Sequence, residues 1–272
     1  MNGTGSGAGT TTVGCDVLVA GGGPAGCAAA LALIRAGADV VMCIRDRSCA
    51  PAARPLLERL GLLDRVARGG HAPCYGMRAA WGDAVPTEVS RVFGPYGAGW
   101  HLDRDLFDAA LLEAAEAAGA SRCPARVRGV ERREDHWHLT TDQGGTLRAP
   151  YLVDATGRPA RLARRLGATA SRTDRLTAIA GLLAAPGAAA GPEQTSLVES
   201  TPWGWWYTAP LPGGGQVLMA MTDADLVADT HLLDRDTWWA QAQRTGHIRH
   251  RIAHLAGPPR RLRVLAAGSS RT

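Results

Sequence analysis

The feature that most limits what this chain can fold into is a glycine turn set between a short apolar run and a helix. Residues 15–20 (CDVLVA) read as a β-strand, Gly21-Gly22-Gly23-Pro24-Ala25-Gly26 follows, and an Ala/Leu-rich segment runs to about residue 36. Residues 39–44 form a second strand-like run. Strand, turn, helix and strand in such a short span make a βαβ unit and imply a parallel sheet. Each glycine of the Gly21-x-Gly23-x-x-Gly26 spacing has a use. Gly21 permits the tight turn, Gly23 lets backbone approach a pyrophosphate, and Gly26 lets the helix pack closely on the strand. With Pro24 and Ala25 these residues open a helix whose free N–H groups and positive dipole end favour phosphate. All five are candidate dinucleotide contacts.

One expected element is missing. An acidic residue that grips the ribose hydroxyls should close the second strand about 20 residues after the turn. Ile44 stands there, followed by Arg45 and Asp46. Asp46 reaches the ribose only if the strand ends differently. Arg45 instead suits a 2′-phosphate, and hence NADP.

Downstream, residues 55–67 and 104–118 read as amphipathic helices, with apolar residues at three- and four-residue steps. A meander is expected over 126–131, 136–141 and 147–155, with a hairpin-like Asp142-Gln143-Gly144-Gly145 turn. From Arg175 the pattern is β-rich: 176–184, 195–199, 205–209 and 216–221, then a helix near 234–244 and an apolar run at 262–267. Residues 185–192 read as a loop, and no internal repeat is present. A chain of 272 residues accommodates one large or two modest domains.

Composition narrows the partners. Hydrophobic residues make up 46%, enough for a packed core and too many for a disordered chain. No apolar window is long enough to span a bilayer. Residues 1–13 read as a disordered leader without the basic and apolar regions of a secretion signal. Every basic residue is Arg, which excludes any mechanism that needs a lysine. Six of the arginines fall between Arg244 and Arg263 without one acid, which leaves the rest of the chain near neutral. Such local basicity suits a solvated helix and strand better than a nucleic-acid surface. None of the six cysteines has C-x-x-C spacing, so reduced thiols and a cytoplasmic location are expected. His247, His250 and His254 fall at i, i+3 and i+7, but Arg249 and Arg251 are interleaved and no carboxylate or Cys joins them. No metal site is expected there.

Four stretches together resemble the FAD-dependent monooxygenases of the hydroxybenzoate-hydroxylase structural group. They are DVLVAGGGPAGCAAALALIRAG (16–37), HLDRDLFDAALLEAAEAAGA (101–120), YLVDATGRPARLARRLGA (151–168) and GWWYTAPLPGGGQVLMAMTDADL (204–226). Within that group the chain is most similar to the branch of geranylgeranyl-reductase-like proteins, tryptophan-halogenase-like proteins and tryptophan-modifying flavoprotein maturases. The resemblance implies an α/β fold, in which a Rossmann-like FAD-binding domain of glutathione-reductase type is interleaved with a β-rich substrate domain. The first would take 14–75 and 101–168, the second 76–100 and 169–272. It further implies that Arg104 lies near the flavin's ribose and phosphate side. Asp154, Thr156 and Gly157 match the Asp-Ala-Thr/Ser-Gly-Arg strand end that runs along the cofactor. FAD is the implied cofactor, with NAD(P)H as a possible electron donor.

The halogenase pattern W-x-W-x-I-P is broken at 205–210, which read Trp205-Trp206-Tyr207-Thr208-Ala209-Pro210. The lysine that handles hypohalous acid in those enzymes has no counterpart. Hydroxylation needs no such lysine, because the cofactor carries the chemistry and the protein supplies orientation and a dry pocket. Trp205, Trp206 and Tyr207 are candidate pocket residues for a small aromatic substrate or a tryptophan-bearing protein. Strand alternation puts Trp205 and Tyr207 on one face and Trp206 on the other, so at least one side is expected to be plain core. The family continues into a Gly-Asp-Ala strand under the flavin, whereas this chain stops at Thr272. A C-terminally truncated site, with FAD held weakly or completed by another chain, is therefore expected. The leading reading is an FAD-dependent oxidoreductase of monooxygenase type, with no catalytic residue assigned. A truncated, non-catalytic binding module and an NADP-dependent reductase are the alternatives.

Overall fold

The computed structural model describes residues 12–43, 54–82, 85–90, 92, 97–185 and 193–271. β1 (Thr12–Gly14) and β2 (Val17–Ala20) lead through the glycine turn into α1 (Pro24–Arg35) and β3 (Val40–Cys43). Next come α2 (Arg54–Arg59), α3 (Leu63–Ala67), β4 (Ala72–Cys74), β5 (Gly76–Ala80), β6 (Thr87–Ser90), β7 (Gly99–His101) and α4 (Arg104–Ala117). β8 (Ser121–Cys123) precedes the meander β9 (Val127–Arg133), β10 (His136–Thr141) and β11 (Thr146–Ala149), and β12 (Tyr151–Asp154) precedes α5 (Arg161–Arg165). The remaining chain runs through β13 (Ser171–Arg172), β14 (Leu176–Leu183), β15 (Thr195–Thr201), β16 (Gly204–Pro210) and β17 (Gln216–Asp223). It closes with α6 (Leu226–Thr230), α7 (Arg235–Gln243), α8 (Ile248–Ile252), β18 (Leu262–Ala266) and β19 (Ser270–Arg271).

The βαβ unit forms as its pattern requires. β12, β2, β3 and β8 make a four-stranded sheet, parallel throughout. Both faces are covered, so its two central strands, β2 and β3, are apolar and buried at every position. Val17, Val19, Val40 and Met42 pack with α1, α4 and the α2–α3 pair. Leu18, Ala20, Val41 and Cys43 pack against Leu139, Leu147 and Ala149 of the meander sheet. A second, seven-stranded sheet has the order β18-β14-β17-β16-β15-β5-β6. The chain leaves the parallel sheet to lay down β5 and β6 and then returns for α4 and β8, which interleaves the two halves. One face of the large sheet carries α7 and α8, with Ile179, Leu197, Trp206 and Leu218 packed on Trp238, Ile248 and Ile252.

Three expectations change. Residues 55–67 are not one helix: Gly61, at φ +61°, breaks them into α2 and α3. Arg35 then ties α1 to that break by donating to the carbonyls of Arg59 at 2.7 Å and Leu60 at 2.9 Å. Residues 147–155 are not one strand either. Pro150, with no N–H for the ladder, separates β11 from β12, and β12 crosses to pair with β2. Thr12 and Val13, expected in the leader, pair in parallel with Thr146 and Leu147. The loop expected at 185–192 lies outside the described residues beyond Ala185. Burial raises the thiols of Cys15 and Cys27 to about 11 and of Cys43 to about 12, which keeps all three protonated.

Trp238 is fully buried, and its indole N–H donates to the Ile179 carbonyl at 3.1 Å. Trp238→Ala should cost about 3–5 kcal/mol of stability, read as a lower urea midpoint at unchanged slope.

Candidate functional site

The first part of the site lies at the C-terminal ends of β2, β3 and β12, where open α/β sheets bind ligands. The backbone hydrogen bonding of the sheet runs one residue past the strands: Gly21 N–H donates to Cys43 O at 2.8 Å and Ala155 N–H to Ala20 O at 2.9 Å. Gly21 adopts φ +124°, and a Cβ there would fall 2.1 Å from the Ala155 carbonyl oxygen. A Cβ on Gly26 would fall 1.9 Å from Gly21 O and 3.3 Å from the Ala155 Cβ. The tight turn and close packing expected of these two glycines are both present. Gly23 is the N-cap of α1, with no side-chain cap, Pro24 in the first turn and no acidic residue there. The positive end of α1 is left without a capping carboxylate.

A cavity of about 480 Å³ opens beside this turn, lined by Gly21, Cys43, Ala155, Thr156 and Gly157 and by five arginines. Arg126, Arg128, Arg161 and Arg165 were not singled out in the sequence; they lie in the meander's first strand region and in α5, far apart along the chain. Arg158, the fifth, turns to the chain's other end and donates to the carbonyls of Ala266, Ala267 and Gly268.

Asp154 shapes the cavity floor instead of facing it. Its carboxylate accepts from Thr156 N at 3.0 Å, Thr156 Oγ1 at 2.6 Å, Leu162 N at 3.2 Å and Ala163 N at 2.9 Å. Burial alone would raise its pKa, but these hydrogen bonds outweigh it and hold the group below the usual carboxylate range. Thr156 also accepts from Arg161 N at 2.8 Å, so the carboxylate and hydroxyl together seat the first turn of α5.

Arg104 opens α4. Asp108 near the start of α4 acts on the Cys27 thiol near the start of α1, while Gly119, just past α4, faces Ile34 near the end of α1. The helices thus run parallel, with both N-termini at one end. Arg104 lies 3.8 Å from the Asp108 carboxylate, yet its Nε and Nη2 are buried without a hydrogen-bond partner among the described residues. Arg45, with Ile44 and Asp46, lies outside the described residues.

The second part is the face of the large sheet away from the helices. Cross-strand register places Trp205 opposite Met221, Tyr207 opposite Met219, and Met77 opposite Ser196 on this one side. Trp81 joins them, its ring 5.7 Å from that of Trp205. The aromatic and methionine side chains are half-buried or exposed, and Ser196 is buried beneath them. Burial, then the neighbouring Cys74, raises the Tyr207 hydroxyl despite a hydrogen bond with Ser196, so the phenol is neutral. Burial likewise lowers the pKa of His101 on the adjoining β4–β7 ribbon. Trp206 does not belong here, which corrects the expectation that it lines the pocket. It is fully buried on the opposite face, edge-to-face with Trp203 at 5.6 Å and Trp238 at 5.1 Å. The three pocket candidates divide as strand alternation demands. No group of residues suited to a metal ion occurs among the described residues, and no helix there is long and apolar enough to cross a membrane.

Comparison with known proteins places this geometry. Residues 14–253 match the family described as FAD binding domain. Over 238 residues the chain is 30% identical to the putative FAD-dependent oxidoreductase LodB of Marinomonas mediterranea, covering 82% of this chain and 64% of that protein. It is 33% identical over 172 residues to the flavin-dependent halogenase rdc2 of Metacordyceps chlamydosporia, covering 53% and 32%. Among solved structures, the peptidyl tryptophan dihydroxylase QhpG superposes with a TM-score of 0.71 at 26% identity, covering 95% of this chain and 56% of that one. The chain thus spans under two thirds of the length of each of these relatives.

Gly21→Ala should displace the Ala155 carbonyl, cost at least about 1–3 kcal/mol and abolish retention of FAD on gel filtration. Asp154→Asn, which replaces a charged acceptor by a neutral one, should cost about 1 kcal/mol at neutral pH. Because the folded pKa of Asp154 is depressed, its contribution is full above the unfolded carboxylate pKa and lost as pH falls through the folded value. The stability curves of the wild type and the Asp154→Asn variant should therefore converge on acidification.

Proposed function

The chain belongs to the FAD binding domain family, and from that premise we propose that it is an FAD-dependent monooxygenase acting on an aromatic substrate of the indole or phenol class. FAD is the cofactor of the family, and the residues present fit it. The uncapped α1 terminus with Gly21, Gly23, Pro24, Ala25 and Gly26 would hold the pyrophosphate. The buried, unpartnered Nε of Arg104 supplies a further donor, and the arginine-lined cavity over Thr156 and Gly157 suits the anionic half of the dinucleotide. Bound FAD supplies two-electron redox chemistry and oxygen activation, with NAD(P)H the proposed donor.

The observation that carries the substrate class is the aromatic and thioether face of Trp81, Trp205, Tyr207, Met77, Met219 and Met221. Flat indole and phenol faces stack a flat substrate, and flexible thioethers fill the gaps around it. The neutral Tyr207 hydroxyl can donate to an oxygen or accept from an indole N–H. The substrate is a free small molecule or a tryptophan held in a protein, a class that the QhpG name also specifies for that protein. Hydroxylation is favoured over halogenation by the broken motif at 205–210 and the absence of lysine from these 272 residues. Sheet membership supports a cofactor unit of 14–75 and 101–168 and a substrate unit of 76–100 and 169–272.

The FAD-loaded chain should oxidise NADH or NADPH in air and add one oxygen atom, seen by mass spectrometry, to an indole or phenol. Trp205→Ala should raise KM roughly tenfold with the flavin spectrum unchanged. A flavoprotein that takes up no oxygen with any such compound overturns the monooxygenase reading. Failure to bind FAD leaves the non-catalytic module, or an NADP-dependent reductase if NADPH binds instead.

A further inference from the structure

On the helix-covered side of the large sheet, away from the aromatic face, a separate cavity of about 240 Å³ is lined by Arg78, Glu193, His247, His250, Arg251 and His254. Leu197 and Gln216 form its base, on the sheet face that carries α8. The three histidines that suggested a weak metal motif in the sequence therefore do meet in space, but around guanidinium groups.

The charge balance decides what such a cavity can hold. The Arg251 side chain is only 7% exposed, and burying an ion is costly unless it is paired. It pairs with the Glu193 carboxylate and donates to Thr195 O at 2.7 Å and Thr195 Oγ1 at 3.2 Å. Arg78 reaches the same carboxylate at 3.3 Å. Two guanidiniums thus share the one carboxylate among the residues that line the cavity, and Glu88 stands opposite Arg78 in the β5–β6 register. A guanidinium has five N–H donors. Arg78 commits only its Nη1 group, so its Nε and Nη2 donors are open among the described residues. Arg249, outside the lining, donates to His250 Nε2 at 3.2 Å and belongs to a stretch of six arginines and no acid. With two guanidiniums and one carboxylate in its lining, the cavity favours an oxyanion over a cation.

We propose that this cavity is an anion site that takes a phosphate group, held by Arg78 and Arg251. Its volume of about 240 Å³ is below the roughly 300–1,000 Å³ of drug-sized pockets and has room for a tetrahedral oxyanion with accompanying water. The phosphate is either free or the terminal group of an organic monoester, and the two differ in what they leave outside the cavity.

The test is calorimetric titration of the FAD-saturated full chain, at constant ionic strength in chloride, with inorganic phosphate and with phenyl phosphate. Saturation with FAD keeps the pyrophosphate crevice out of the measurement, and the variants identify the site even if FAD does not bind. Arg78→Gln, at a partly exposed position, should weaken phosphate by about tenfold or more, since a charge-assisted contact is lost. Glu193→Gln removes the competing carboxylate and should tighten it by about tenfold. A purely structural role for the cluster would not move the two variants in opposite directions. Thermal unfolding of each variant checks that it is folded. Binding of inorganic phosphate alone assigns a free anion, and binding of both probes assigns a monoester end. No binding of either, or unchanged affinity in both variants, overturns the proposal.

Discussion

The structure depends first on a contact between backbones. Gly21, Gly26 and Ala155 approach so closely that a methyl group on either glycine would overlap a carbonyl oxygen. This fit brings the start of α1 against the end of β12, and so sets the helix terminus beside the loop at 155–157. The two stretches are separated by more than a hundred residues of chain, much of it in another sheet. Their junction makes the crevice, and the parallel packing of α4 on α1 brings Arg104 to the same end. A protein can vary the loops around such a junction widely, but not the glycines.

The large sheet contributes sidedness. One register places Trp206 under α7 and Trp205 on the free face, two adjacent indoles with opposite fates. The helix side is closed by buried polar contacts as well as by packing: the Glu199 carboxylate accepts from Gly246, His247 and Ile248 N–H groups at 2.6–3.0 Å and fixes the start of α8. The free side carries no packed helix among the described residues, and Cys74 of β4 neighbours Tyr207 there. Its half-buried aromatics and methionines make a surface suited to a flat apolar partner. Stability and recognition are thus assigned to opposite faces of the same strands.

Much of this was legible in the sequence because it rests on local periodicity. The βαβ unit, the role of Gly21 and Gly26, α4, the meander and the alternation at 205–207 all follow from spacing within a few residues. What was hidden depends on distant partners or on single breaks. Pro150 divides an apolar run whose two halves join different sheets, and Gly61 divides a helix. Asp154 looked like a cofactor contact because it sits in a motif, whereas its carboxylate is filled by four donors from 156–163. Arg126, Arg128, Arg161 and Arg165 converge only through the packing of α5 on the meander, which no local pattern reveals.

The exclusive use of arginine gains a physical meaning from the same packing. Arg35, Arg54, Arg158, Arg165 and Arg251 each donate to backbone carbonyls remote in sequence. A planar guanidinium can bridge several carbonyls at once, which a lysine ammonium on a flexible stem does less well. Arginine here is therefore largely a clamp between segments, and net charge alone says little about partners. The informative arginines are those whose donors remain open. Arg104, at the start of α4, has its Nε and Nη2 buried without a hydrogen-bond partner among the described residues, the Nη2 3.8 Å from the Asp108 carboxylate, whereas the partly exposed Arg78 uses one nitrogen of three. A buried donor without an acceptor carries a desolvation cost of about 1–3 kcal/mol. In a folded chain that cost is best explained by an acceptor that arrives from outside.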